Sequence, residues 1–315
     1  VVYYEPATER FTALMQIQDT FGMRNNLAAA MGVSNDKMRV ITNQVGGSFG
    51  MKGSVFPEYI ALLHATRELK RPIKWSEQRT ESFVSDHHGR DHDIDAELAL
   101  DAEGHFLALR MNGYGNLGAY LTAFGVLIAA VNIHRNAQSV YRTPLIETNV
   151  RCVVTNTPPV GAYRGAGRPE GNYVMERMVE EAARVSGIDP VELRRRNHVR
   201  PEELPFNSGV GSIYDCGDFP GLLDAALKAA DWNGYEERQA ESAARGKLRG
   251  RGVGQYLEIT APPTNELGEI HFEEDGSVTV LTGTLDFGQG HATTFAQVLV
   301  ELVHAAALRV VLVGR

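Results

Sequence analysis

Three glycine-rich segments place polar side chains beside backbone that carries few side chains: residues 43–53 (NQVGGSFGMKG), 161–170 (GAYRGAGRPE) and 286–294 (DFGQGHATT). Glycine lets a bulky ligand approach the backbone, and free N–H groups at a helix start favour anionic oxygens, above all phosphate. Arg164 can donate a forked pair of hydrogen bonds to such oxygens, whereas Gln289 and His291 can bind neutral ring edges. Together the segments indicate a site for one long, polar, phosphate-bearing ligand.

Each of these loops, taken singly, is also explained as a tight turn, and Arg164 could instead be a structural ion-pair partner. The first loop does not fit the common nucleotide-binding patterns. Lys52 is followed by Gly53 rather than by Ser or Thr, and the loop has no G-x-G-x-x-G sequence. This argues against a regulatory module that binds ATP or NAD.

The surrounding sequence predicts a strand before each loop and a helix after it. Helical spacing ends at Gly32, and Pro169 begins a second helix that runs to about Ser186 and stops at Gly187. Alternating patterns predict two hairpins, one over residues 94–111 and one with its turn at Asp275-Gly276. The segment RPIKWSE is predicted to be a further strand, and Trp75 and Trp232 are assigned to the core.

The predicted fold class is α+β, with two elongated mixed α/β domains. The polar stretch from Pro201 to Gly217 is the best boundary. It divides the chain into domains at 1–204 and 205–315, and we expect the ligand to lie between them.

Composition excludes several classes of protein. A net charge of −8 provides no electrostatic attraction to nucleic acid or to an anionic membrane. No apolar run of membrane-spanning length occurs. Cys152 and Cys216 form no CxxC pair, which argues against a zinc or iron–sulfur site in this chain and fits a reducing, cytoplasmic location.

Four segments, in this order, carry a resemblance to a known family: QVGGSFGMK, TNTPPVGAYRGAGRPE, DPVELRRRN and GTLDFGQGHATTFAQ. As a set they closely resemble the molybdenum-binding large subunit of the xanthine dehydrogenase, aldehyde oxidase and carbon monoxide dehydrogenase family, over residues 1 to about 300. The resemblance implies a fold of the molybdenum-cofactor-binding type. It also implies the cofactor molybdopterin cytosine dinucleotide, whose pterin dithiolene holds molybdenum without a metal ligand from the protein.

The resemblance further implies the residues that meet the cofactor and the substrate. Phe49, Tyr163 and Ala166 would line the substrate pocket. Gln18 would lie near the metal's oxo ligand. The second loop would contact the metal-proximal end of the cofactor, and the third loop would contact the pterin and its phosphate. The implied cofactor-binding residues are Gln18, Gly47, Phe49, Gly50, Ala162, Arg164, Gly165, Gly288, Gln289, Gly290, His291, Thr293 and Thr294.

The activity implied is oxidation of an aldehyde or an N-heteroaromatic compound with water as the oxygen source. Electrons would leave through 2Fe-2S clusters and FAD on partners, an iron–sulfur small subunit and a FAD-binding medium subunit, in a dimer of heterotrimers. The family's general-base glutamate lies in a glycine-rich GVGE motif that this sequence lacks, so the catalytic residue is expected beyond its end. A first residue other than Met and a loss of resemblance after about Glu301 indicate a truncated N-terminal edge and an incomplete second domain.

Two alternatives stay open at this point: a subunit like that of carbon monoxide dehydrogenase, and a non-catalytic fragment. Carbon monoxide dehydrogenases carry a cysteine where this chain has Gly165, which disfavours the first alternative. Ala166 stands where xanthine-type enzymes place an aromatic residue, which argues against purines. Ser48 replaces a glycine usual in the family's first loop.

Three other features have competing interpretations. His87, His88 and His92 invite a metal site, but a solvated polar turn explains them as well. The basic segment LRRRNHVR is interpreted as an ion-paired helix face. Glu258 could face the pocket or pair with a basic neighbour.

Overall fold

The computed structural model describes residues 1–258, 268–303 and 310–314, which form two compact units. The first unit contains Val1–Asp86, Ala162–Arg164 and the described part of Thr260–Arg315; the second contains His87–Gly161 and the described part of Gly165–Ile259. Each unit is therefore assembled from segments that are separated in sequence. The division into contiguous domains at residue 204 stays a prediction.

The described strands and helices are numbered in chain order. The strands are β1 (Val2–Glu5), β2 (Arg10–Leu14), β3 (Met38–Ile41), β4 (His92–Leu100), β5 (Phe106–Asn116), β6 (Leu145–Val153), β7 (Phe206–Asn207), β8 (Ile213–Tyr214), β9 (Gly268–Phe272), β10 (Val278–Thr282) and β11 (Val310–Gly314). The helices are α1 (Thr20–Met31), α2 (Pro57–Leu69), α3 (Arg79–Ser85), α4 (Asn132–Arg135), α5 (Arg168–Ser186), α6 (Pro190–Asn197), α7 (Phe219–Ala229), α8 (Tyr235–Ala244) and α9 (His291–Val303), with a π-helical turn at Leu127–Val131.

The first unit contains two small sheets. In one, β2 pairs antiparallel with β1 and parallel with β3, and α1 closes that crossover. Asp19 accepts the Gly22 amide at the start of α1, and Gly32 ends the helix in the left-handed conformation, as the sequence predicted. The apolar faces of these elements meet in a core of Val2, Phe11, Ala13, Ile17, Met23, Leu27, Ala28, Met38 and Leu63.

The second sheet of this unit has the order β11-β10-β9. The β9–β10 hairpin confirms the prediction, and Asp275 accepts the Ser277 amide within its turn. Because β11 is parallel to β10, the chain crosses over between them through α9. The third glycine loop is the connection from β10 to α9.

The second unit is built on a sheet of order β4-β5-β6. The β4–β5 hairpin was predicted, and β6 lies parallel to β5. Helix α5 contacts β4 and α6. It begins at Arg168, one residue before the predicted Pro169, and Gly187 ends it in the left-handed conformation.

Arg194 is wholly buried in this unit, and it donates to Glu176 at 2.7 Å and to Glu180 at 2.8 Å. Arg195 and Arg196 pair with Asp224 and Glu192. The interpretation of this basic segment as an ion-paired helix face is confirmed.

Two predictions about the segment after α2 are wrong. RPIKWSE is not a strand: Ile73 forms a single bridge with Val2, and Pro72 has no N–H with which to extend a ladder. Trp75 is 38% exposed and lies outside the core. The assignment of Trp232 to the core is also wrong: it is partly exposed, and the guanidinium carbon of Arg251 lies 4.4 Å from the centroid of its ring.

Candidate functional site

The first glycine loop follows β3 and precedes α2. Gly46, Gly47 and Gly50 have positive φ, and so does Phe49 at φ 52°. A left-handed conformation is unusual for a bulky residue and must be held by its surroundings. Lys52 donates from Nζ to the Val45 carbonyl at 2.5 Å, and burial lowers its pKa. The lysine therefore braces the loop itself.

The third glycine loop turns around an aspartate. Asp286 accepts the Gly288 amide at 2.7 Å and the His291 amide at 3.1 Å. Gln289 accepts the Phe287 amide through its side-chain oxygen at 2.5 Å. These backbone donors already have an acceptor within the chain.

All three loops contribute residues to one contact region inside the first unit. The Gly47 amide donates to the Phe287 carbonyl at 3.1 Å, which joins the first loop to the third. The Arg164 amide donates to the Phe49 carbonyl at 2.8 Å, which joins the first loop to the second. A Cβ on Gly50 would lie 3.1 Å from the Ala162 carbonyl oxygen, so only glycine permits that approach without displacement.

Two of the predicted cofactor-binding residues have a buried polar atom with no hydrogen-bond partner among the described residues: Oε1 of Gln18 and Nδ1 of His291. The Gln18 amide donates to the Lys52 carbonyl at 3.2 Å, which anchors the glutamine to the first loop. The His291 ring stacks on Phe295 at 5.1 Å. A buried polar atom without a partner is costly unless a ligand or water satisfies it, so both atoms fit a polar ligand.

Gly165 and Ala166 belong to the second unit, at the start of α5. Gly165 has φ +92°, and a Cβ there would lie 2.4 Å from Pro169, so the helix start alone already requires glycine. Ala166 is held at φ 46° while its carbonyl accepts the Asn132 side chain at 2.8 Å.

Of the remaining predicted residues, Phe49 is 59% exposed and Tyr163 49% exposed. Thr293 is exposed at the start of α9. Thr294 is also exposed, and its hydroxyl lies 3.3 Å from both the Gly290 and the His291 carbonyls.

The other candidates have structural partners. Glu258 lies 3.3 Å from Arg168, which confirms its pairing with a basic neighbour. His92 bonds through Nε2 to the Ala129 carbonyl at 2.9 Å in the π-helical turn. Within the described ranges no three His, Cys, Asp or Glu side chains are arranged to hold a metal ion. Both cysteines are free.

Asp286 is the site residue that the sequence reasoning overlooked. The available signal was an aspartate two residues before a glycine, the pattern of an Asx turn. The backbone amides of this loop were expected to donate to a ligand. In the structure, those of Gly288 and His291 donate to Asp286.

This arrangement brings three glycine loops together beside polar side-chain atoms that have no partner among the described residues, as is typical of proteins that bind an extended polar ligand. Comparison with known proteins agrees. Residues 1–198 match the model of a molybdopterin cofactor-binding domain, and residues 225–313 match a second model of the same description.

Individual relatives give the same result. The chain is 34% identical over 288 residues to the 6-hydroxypseudooxynicotine dehydrogenase complex subunit gamma of Paenarthrobacter nicotinovorans, covering 90% of this chain and 36% of that one. It is 30% identical to the carbon monoxide dehydrogenase large chain of Hydrogenophaga pseudoflava, covering 95% and 39%. It superposes on the crystal structure of quinoline 2-oxidoreductase from Pseudomonas putida 86 with a TM-score of 0.89 and 30% identity, covering 99% and 42%.

The chain belongs to the family of molybdopterin-binding large subunits that includes carbon monoxide dehydrogenase and xanthine dehydrogenase. Its α+β fold is of the molybdenum-cofactor-binding type. The predictions of the family and of the fold class are therefore confirmed. The chain spans about two fifths of the length of these relatives. None of the helices in the described ranges combines the length and apolar composition that a membrane crossing requires.

Proposed function

We propose that this chain is the cofactor-binding part of a molybdenum hydroxylase. It would oxidise an N-heteroaromatic compound or an aldehyde with water as the oxygen source. The observation that carries this proposal is the meeting of three glycine loops through two backbone hydrogen bonds, Gly47 to Phe287 and Arg164 to Phe49. A long dinucleotide needs several separated contacts of this kind.

When bound, molybdopterin cytosine dinucleotide supplies the redox centre that takes electrons from the substrate. The residues of this chain would bind it and orient the substrate. Gln18 offers a buried side-chain oxygen without a described partner, and Arg164 offers a cationic fork. The other residues assigned to the cofactor are Gly47, Phe49, Gly50, Ala162, Gly165, Gly288, Gln289, Gly290, His291, Thr293 and Thr294.

Phe49, Tyr163 and Ala166 are assigned to the wall of the substrate pocket. The exposed rings of Phe49 and Tyr163 in the first unit provide apolar, stackable surface. Such a wall suits a flat aromatic ring. The name of quinoline 2-oxidoreductase supports an N-heteroaromatic substrate in preference to an aldehyde.

A carbon monoxide dehydrogenase-like subunit is the second candidate, since one relative bears that name. Gly165, at the position where the resemblance implies a cysteine in those enzymes, argues against it. The third candidate is a non-catalytic fragment, because the expected general-base glutamate motif is absent from these 315 residues.

The partners proposed are an iron–sulfur small subunit with 2Fe-2S clusters and a FAD-binding medium subunit, in a cytoplasmic dimer of heterotrimers. The word "subunit" in one relative's name and "large chain" in the other's support a multi-subunit assembly.

The test begins with the protein purified together with its partner subunits from cells supplied with molybdate. We expect molybdenum and, after acid hydrolysis, CMP in equal amounts. Absence of both from the intact complex would remove the proposal, whereas AMP or GMP in place of CMP would overturn the cytosine form alone.

Activity then separates the three candidates. Dye reduction should follow addition of quinoline, with an aliphatic aldehyde and carbon monoxide as the comparison substrates. Reduction with carbon monoxide alone would favour the second candidate. Turnover by the 315-residue chain without additional polypeptide would contradict the placement of the general base outside it.

A further inference from the structure

The conformation of the third glycine loop depends on one carboxylate. Oδ1 of Asp286 accepts the Gly288 amide and Oδ2 accepts the His291 amide. Hydrogen bonds from the backbone of Gly288, His291, Gln289 and Gly290 hold the pKa of this carboxyl below its usual value. A run of amides that converge on one anion is the geometry expected of a phosphate site. Here an internal anion fills it.

The glycines of the loop are open on their Cα side. Cβ atoms placed on Gly288 and Gly290 would meet no described atom within 4 Å. Both residues have positive φ. Among the described residues, the space next to these Cα atoms is therefore unoccupied, whereas the Gly288 and His291 amides have an acceptor.

The peptide that follows Asp286 connects two loops. The Phe287 amide donates to the side chain of Gln289 at 2.5 Å, and the Phe287 carbonyl accepts the Gly47 amide at 3.1 Å. Because Asp286 fixes the turn that contains Phe287, it also fixes the contact between the third loop and the first.

We propose that Asp286 is a positioning residue whose carboxylate preforms the third glycine loop, so that the cofactor is received at the glycine Cα positions and side chains rather than by the amides. This proposal rests on the proposed function. An amide that donates to Asp286 cannot also donate fully to a phosphate, and two anions in one nest would repel each other. A loop ordered in advance spares the ligand the entropy cost of ordering it.

The variants are Asp286→Ala, which removes the acceptor, and Asp286→Asn, which keeps one accepting oxygen without the charge. Asp275→Asn is the matched control, because Asp275 also accepts a backbone amide, in the hairpin turn between β9 and β10. Far-UV circular dichroism establishes that each variant is folded.

The first measurement is hydrogen exchange of residues 287–291 in the cofactor-free chain. We expect exchange at least about tenfold faster in Asp286→Ala, an intermediate rate in Asp286→Asn and no change in the control, since the loop amides lose a charged acceptor. Equal rates in all proteins would overturn the proposal.

The second measurement is molybdenum and CMP content in the assembled complex. We expect lower occupancy in Asp286→Ala, with partial recovery in Asp286→Asn. Occupancy equal to or higher than that of the unsubstituted protein would overturn the proposal, because the carboxylate would then be neutral or a competitor. If the unsubstituted complex itself lacks both, the proposed function fails, and the exchange rates alone decide whether Asp286 preforms the loop.

Discussion

The backbone amide of Arg164 donates to the Phe49 carbonyl, and the Arg164 guanidinium carbon lies 5.7 Å from the centroid of the Phe49 ring. Backbone and side chain of the two residues therefore meet. The hydrogen bond holds the second loop against the first, and the guanidinium forms a cation–π contact with the ring. This places a positive charge beside the glycine-lined region of the first unit.

Replacing Arg164 tests whether that charge serves the cofactor. We expect Arg164→Ala to lower molybdenum content per polypeptide, because a charge-assisted hydrogen bond contributes about 1.5 to 3 kcal/mol, roughly a tenfold to hundredfold change in affinity. Arg110→Ala is the control, since Arg110 pairs with Glu97 and Glu147 on an exposed sheet face. Unchanged metal content would refute the role assigned to Arg164.

Replacing Gln18 with an apolar residue should raise the stability of the cofactor-free chain and weaken cofactor binding. Its buried Oε1 has no partner among the described residues, which costs about 1 to 3 kcal/mol in a cofactor-free chain. We expect Gln18→Leu to raise the urea midpoint of the cofactor-free chain and to reduce molybdenum content in the complex.

Gln138→Leu provides the comparison for Gln18. Oε1 of Gln138 is also buried without a described partner, but the residue lies in the second unit. That variant should gain stability with no loss of metal. Equal metal loss in both variants would show that the Gln18 effect is indirect.

Two glycines of the first loop separate backbone strain from close packing. Gly46 and Gly50 both have positive φ, but a Cβ on Gly46 meets nothing within 4 Å, whereas one on Gly50 meets the Ala162 backbone. We expect Gly46→Ala to cost about 1 kcal/mol of unfolding free energy and Gly50→Ala about 2 to 3. Equal costs by urea denaturation would mean that the contact with the second loop yields easily.

Acid should destabilise the chain through one buried and two half-buried histidines. Burial lowers the pKa of His198, and also those of His87 and His134, below the ordinary value of 6.5. Below that value the unfolded chain binds more protons than the folded one, so the stability present at higher pH is lost as the pH falls through it. A difference of one whole proton corresponds to a slope of about 1.4 kcal/mol per pH unit, and solvent screening reduces the contribution of these groups below that.

We expect a lower free energy of unfolding at about pH 5.5 than at about pH 7.5. In His198→Gln the free energy of unfolding should change less between these two pH values. His198 is the decisive position, since its side chain is wholly buried and Nε2 donates to Gln255 Oε1 at 2.5 Å. An unchanged pH profile in this variant would show that His198 does not supply the effect.

The sequence by itself determined the features that depend on near neighbours. Helices α1 and α5 end where Gly32 and Gly187 predicted, and α5 begins within one residue of the predicted Pro169, because proline and left-handed glycine act within one turn of the chain. The four motifs determined the family for the same reason, as each is a short run of residues. RPIKWSE was misjudged because a strand exists only where a partner strand continues beside it.

Only the tertiary structure decided which groups each loop meets. Residue spacing could not predict three of these contacts. Gly47 donates to Phe287, Gly50 packs closely against the backbone of Ala162, and Asp286 accepts hydrogen bonds from amides of its own loop. A glycine motif shows that some atom must come close to the backbone. Whether that atom belongs to a ligand, another loop or a neighbouring carboxylate is decided by the packing of segments far apart in the chain.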